Sequence, residues 1–147
     1  MAIIYTYPRL NTVNNGDLLL ISAVNTPRKP TMRVRVEDLK SYMIGYTSYT
    51  ALISQVGAAA PTAIVLKNDT GFTFTWGRTA GGVYTLTANG NAFTANKTIV
   101  FNNSGVDIAG GYTPPYWERT SDTEIVITTG GVDTAIDNGA FEVRIYS

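Results

Sequence analysis

Neither cysteine nor histidine occurs anywhere in the 147 residues. The first absence excludes a disulfide framework and thiolate chemistry, and leaves the redox compartment unread. Together the two exclude zinc held by thiolate or imidazole and any imidazole-based proton relay. Charge is also scarce: Lys, Arg, Asp and Glu make up 15% of the chain, against about 25% in an ordinary domain. Long apolar runs are missing, since no stretch approaches the ~18 residues of a membrane helix. The opening "MAIIYTYPRLN" lacks the basic flank and apolar run of a signal peptide, so the expectation is a soluble protein not exported by that route.

What is present is 44% hydrophobic residues, enough for one domain with an appendage and its own core. Formal net charge is zero, yet it is unevenly spread. Residues 1–45 hold six basic residues against three acidic ones, and residues 46–147 hold five against eight. The split reads as a basic segment reaching toward an acidic surface, or as scatter. Pro8, Pro27 and Pro30 bias residues 1–45 toward extended structure. "NNGDLLLISAV" predicts a turn and a buried strand from Leu18 to Val24. In "MRVRV", Met32, Val34 and Val36 alternate with Arg33 and Arg35. A short helix is expected over 37–44, opened by Glu37 and Asp38 and ended by Gly45. This segment is expected to be an attachment arm or small subdomain, with Arg9, Arg28, Lys29, Arg33 and Arg35 as its contacts.

From Tyr46 onward, short strand-like segments are punctuated by Gly, Asn and Pro. They include "TSYTALISQV", "TAIVLKN", "GFTFTW", "GVYTLTA", "TIVFNNSG", "YWERT", "EIVITT" and "AFEVRIYS". This spacing predicts an all-β antiparallel sandwich, jelly-roll-like, over 46–147. Twenty-one threonines suit half-exposed sheet surfaces. Phe72, Phe74 and Trp76 alternate with Thr73 and Thr75, which favours one wall of a core over an exposed platform. Trp76, next to Gly77 at the expected strand end, is placed at the rim with its indole N–H available, and stays a candidate contact.

Catalytic signatures are sparse. None of the seven serines lies in a nucleophile motif, and "AGGVYTLTANGNA" lacks phosphate-loop spacing. A carboxylate pair is the remaining hydrolytic option, with Glu118, Asp122 and Glu124 near Tyr116 and Trp117. The competing reading is a charged hairpin turn, "RTSD". Asp133, Asp137 and Asn138 offer oxygen ligands without the spacing of a calcium loop. The aromatic-bearing segment is net acidic, which argues against a nucleic-acid partner. No enzymatic activity, cofactor, metal or membrane partner is expected. Low charge with high apolar content instead predicts self-association as a homotrimer.

Quoted segments near the start carry a resemblance. "MAIIYTYP", "GDLLLISAV" and "KPTMRVRVEDL" together resemble the N-terminal segment of virion proteins of tailed bacteriophages. "YTALISQVGAAAPTAIVLKNDTGFTFTWGRTAGGVYTLT", continuing through "FTANKTIVF", is similar to a small β-rich module of phage structural proteins. The resemblance covers about two thirds of the chain and ends near Gly105. It implies a virion component assembled in the bacterial cytoplasm, whose N-terminal part binds the major capsid protein or another virion protein. Ending at Ser147, the chain is expected to be a head decoration or cement protein. The alternative is a short fibre, an adaptor, or a carbohydrate-binding tip stacking sugars on Trp76, Tyr116 and Trp117.

Overall fold

The computed structural model describes residues 12–22, 31–103 and 114–147. The chain divides into two compact units, Met1–Gly45 and Tyr46–Ser147. Arg9, Arg28 and Lys29 lie outside the described residues, as do Pro8, Pro27 and Pro30.

In the first unit, a turn is closed by the Asn14 amide, which donates to the Asp17 carboxylate at 2.7 Å. The turn leads into β1 (Leu18–Ser22), which pairs antiparallel with β2 (Thr31–Arg35). Helix α1 (Val36–Ile44) follows directly, with Glu37 and Asp38 in its first turn complementing the helix dipole. Gly45, at φ 70°, takes the left-handed conformation that ends it. The expectation of a buried strand at Leu18 is overturned: Leu18, Leu19, Leu20 and Ile21 are all exposed, Leu20 at 80%. A two-stranded ribbon has two faces, and among the described residues of this unit one short helix is all there is to cover them. An apolar run on it therefore has too little protein to bury it.

The second unit is an antiparallel sandwich of two four-stranded sheets. The front sheet runs in the order β4 (Thr62–Asn68), β3 (Tyr46–Ser54), β10 (Gly139–Tyr146), β7 (Thr98–Asn103). The back sheet runs β5 (Phe74–Ala80), β6 (Val83–Ala88), β9 (Glu124–Thr128), β8 (Tyr116–Arg119). Between them Tyr49, Ala51, Ile53, Tyr84, Leu86, Val100, Ile125, Ile127, Phe141 and Val143 form the core. Period-two patterning places these side chains: Phe141 and Val143 point in, while Glu142 and Arg144 point out.

The aromatic ribbon belongs to this core. Phe74 packs 4.7 Å from the Tyr49 ring and 5.8 Å from Phe93, and Trp76 meets Phe141 edge-on at 4.8 Å. The contacts with Tyr49 and Phe141 cross from the back sheet to the front sheet and tie the two together, while Phe93 comes from the connection after β6. Thr73 and Thr75 are exposed, as the alternation requires. One local expectation changes. The strand expected to end at Trp76 runs on through the start of "GRTAGG", because β5 continues to Ala80 and only Gly81 and Gly82 turn the chain. Gly82 sits at φ 67°, where a Cβ would lie 2.7 Å from the Gly131 nitrogen and from Thr129 Oγ1. Only glycine fits there.

Candidate functional site

The aromatics proposed as a sugar platform do not meet on one surface. Trp76 and Trp117 are half-buried and pack against the core. The Trp76 ring is only partly buried, as expected, but its indole N–H is engaged within the protein, since it donates to the Tyr49 hydroxyl at 3.2 Å. Tyr49 itself is buried, and burial pushes its phenol pKa up although the indole bond acts the other way. Tyr116 follows the pleat to the opposite face of β8 and is 57% exposed.

The candidate carboxylates have structural partners. Asp122 pairs with Arg119 within the turn that joins β8 to β9. Arg119 also donates to the Phe93 carbonyl, which fastens that turn to the body. Glu124 accepts from Thr120 Oγ1 at 2.9 Å, while Glu118 is exposed on β8. The geometry is that of a stapled hairpin. Asp133 and Asp137 serve different strands. Asp137 accepts from the Gln55 backbone N–H at 2.7 Å, and Asp133 accepts two guanidinium N–H groups from Arg78 at 2.9 and 2.8 Å. Among the described residues no group of three or more His, Cys, Asp or Glu is placed to hold a metal ion.

Sequence reasoning missed the Asp133 node. Besides Arg78, Asp133 accepts the Gly82 amide at 2.9 Å, and the Tyr84 hydroxyl donates to its backbone carbonyl. The Arg78 hydrogen bond, then the Gly82 amide, hold the Asp133 carboxyl pKa down at about 2. Burial, reinforced by the Asp133 charge, pushes Tyr84 up to about 12. The cluster pins the segment before β10 onto the β5–β6 turn. Its groups are engaged with one another, so it is a structural clasp. Only a contact 55 residues apart in sequence joins Arg78 to Asp133, and no local motif announces that.

Among the described residues, two surfaces present exposed apolar side chains. In the first unit, Arg33 and Arg35 line a groove of about 500 Å³ with Gly16, Leu18 and Asp38. Arg35 is paired to Glu37 at 3.0 Å. The opposite face of the ribbon carries Leu19, Ile21, Val34 and Met32, placed together by the strand register. In the second unit, the outer face of the front sheet presents Leu52, Ile64, Ile99 and Phe101. A depression of about 180 Å³ lies on that face, lined by Thr50, Phe101, Asn103, Ala140 and Glu142 among others. The signal was available in "AIVL" and "IVF", where apolar residues run on without alternation. Such runs mean a strand apolar on both faces. No family model, curated protein or solved structure matches the chain.

Proposed function

We propose that the protein is a non-enzymatic structural component of a bacteriophage virion, a head decoration or cement protein. Its N-terminal unit attaches to the particle, and its β body self-associates as a homotrimer. The observation that carries this reading is the exposed apolar surface of the first unit: Leu18 and Leu20 are exposed on the ribbon face that carries Arg33 and Arg35, Leu19, Ile21 and Met32 are exposed on the other face, and Tyr42 and Met43 are exposed on the helix. Surface of this mixed apolar and basic kind is characteristic of a docking element. The body, by contrast, has its own closed core and no assembled catalytic constellation among its described residues. Those features fit a unit that is carried and displayed. The resemblance of the opening segment to virion proteins supplies the setting, and the particle partner is a capsid or other virion protein.

Binding of the full-length protein to particles lacking it tests the reading. Arg33→Glu with Arg35→Glu should weaken binding, most strongly at low salt, because exposed charges are screened beyond about 8–10 Å at ordinary ionic strength. Leu18→Ser with Leu20→Ser should weaken it at every salt concentration. Full binding by both variants would remove the first unit from the attachment role. Absence of the protein from purified particles would end the virion assignment.

A further inference from the structure

We infer that the outer face of the front sheet is the surface through which copies of this chain pack against one another. The inference rests on the self-association in the proposed function and is independent of the virion setting. Strand register sets the composition of the face. Ile64, Leu52 and Ala140 stand in one row across β4, β3 and β10. Thr50, Glu142 and Phe101 form the next row, and Ser48, Arg144 and Ile99 the one after. Ile64 is 69% exposed and Phe101 48%, with Leu52 and Ile99 also open.

A second copy is the occupant that the charges favour. Every charged side chain of the face is already neutralised within it. Arg144 bonds Glu142 at 2.6 Å, and Lys67 bonds Asp69 at 2.9 Å. The Arg144 guanidinium also lies over the rings of Tyr46 and Phe101, at 4.8 and 4.7 Å from their centroids. A surface with one sign of charge would repel its own copy. This one brings no unmatched charge to the contact, so like can meet like without burying an unpaired ion. A partner of strong charge would find nothing complementary to bind. Size points the same way. Four strands about 4.8 Å apart and eight residues long at about 3.4 Å each give a footprint of about 500 Å². Side-chain relief brings that toward the roughly 800 Å² per partner of a stable interface. β4 is moreover an edge strand of the sheet, and its Ile64, Val65 and Leu66 are all exposed. Free edges of this kind are normally guarded with charge or covered.

Sedimentation of the full chain at micromolar concentration tests the inference, with 15.9 kDa as the single-chain mass. The wild type should sediment as a multiple of that mass. Ile64→Lys, and separately Leu52→Ser, should raise the dissociation constant about tenfold or more. Leu20→Ser, on the first unit, should leave it unchanged. A wild type that stays monomeric, or an oligomer indifferent to both front-sheet changes, overturns the inference. Because the chain has no cysteine, Ile64→Cys supplies a unique thiol that reads the face without depending on the other variants. Its maleimide labelling should slow as protein concentration rises. Labelling that is slow in a monomer would mean that the chain's own first unit covers the face, and would also overturn the inference. Failure to bind phage particles would leave these outcomes untouched and count only against the virion assignment.

Discussion

Replacing Phe74 with Ala separates a core aromatic from a binding platform without knowledge of any ligand. A fully buried Phe→Ala change costs about 3–5 kcal/mol. Phe74 is half-buried, so it falls below that range on area alone. Its ring contacts with Tyr49 and Phe93 restore part of the difference, since such pairs contribute about 0.5–1.5 kcal/mol beyond burial. The expected loss is about 2–3 kcal/mol. For a domain of roughly 100 residues, each kcal/mol lowers the melting temperature by about 4–8 °C, so the shift should be about 10–20 °C. Both tryptophans, Trp76 and Trp117, lie in the second unit, so their fluorescence reports its unfolding specifically. Thr75→Ala, one residue along and exposed, is the control and should stay within about 0.5 kcal/mol. A Phe74→Ala melt indistinguishable from that of Thr75→Ala would refute the core assignment and return the ribbon to the surface.

Further outcomes follow from the clasp and the turns. Asp133 is held at about 2 against 3.8 unperturbed, so its contribution to stability is present above pH 4 and is lost as pH falls from about 4 to about 2. Acid titration of Asp133→Asn, followed by fluorescence, should show a flatter stability profile across that window. Tyr84 has the opposite sense: with its pKa raised from 10 to about 12, it contributes stability at neutral pH that is lost between those values. Tyr84→Phe should flatten the alkaline limb, again read by fluorescence. Gly71 and Gly82 both have positive φ, but a Cβ at Gly71 meets nothing within 4 Å whereas one at Gly82 meets backbone at 2.7 Å. In denaturant titrations Gly71→Ala should cost about 1 kcal/mol and Gly82→Ala clearly more.

The sandwich was legible because its information is local. Phe141, Val143 and Ile145 alternate with polar neighbours, and a strand with one wet face follows from that alone. The helix over 37–44 was legible for the same reason, with an acidic pair in front and a glycine behind. Three things were not. Whether "DLLLIS" is buried depends on how much protein surrounds it, and the sequence of a strand does not specify its cover. Which aromatics share a surface depends on register: Tyr116 and Trp117 are neighbours in sequence, and the pleat puts them on opposite faces of the back sheet. The "GRTAGG" boundary failed through a long-range cause, because Arg78 is drawn into the strand opposite Tyr84 and toward Asp133.

The two outer faces of the body differ in a way that neither composition nor strand count reveals. On the back sheet, Thr75, Thr87 and Glu124 form one row, and Gly77, Thr85, Val126 and Glu118 the next. Thr85 lies so close over Gly77 that a Cβ there would sit 2.5 Å from its hydroxyl oxygen. Thr75, Thr87 and Glu118 are open to water while Thr85 is buried, Tyr116 stands exposed opposite Thr128 in the following row, and Glu118 and Glu124 would repel their counterparts in a facing copy. On the front sheet the same positions carry Ile64, Leu52, Ile99 and Phe101, and the ions are paired off. A sheet that needed only to stay in water would have no reason to differ so between its two sides. Under the self-association proposed above, the asymmetry fits opposite tasks: the front toward other copies of the chain, the back toward solvent. Glu118→Lys on the back face should therefore leave sedimentation unchanged, while Ile64→Lys on the front dissociates the assembly. Equal effects from the two would mean that association does not read this asymmetry at all.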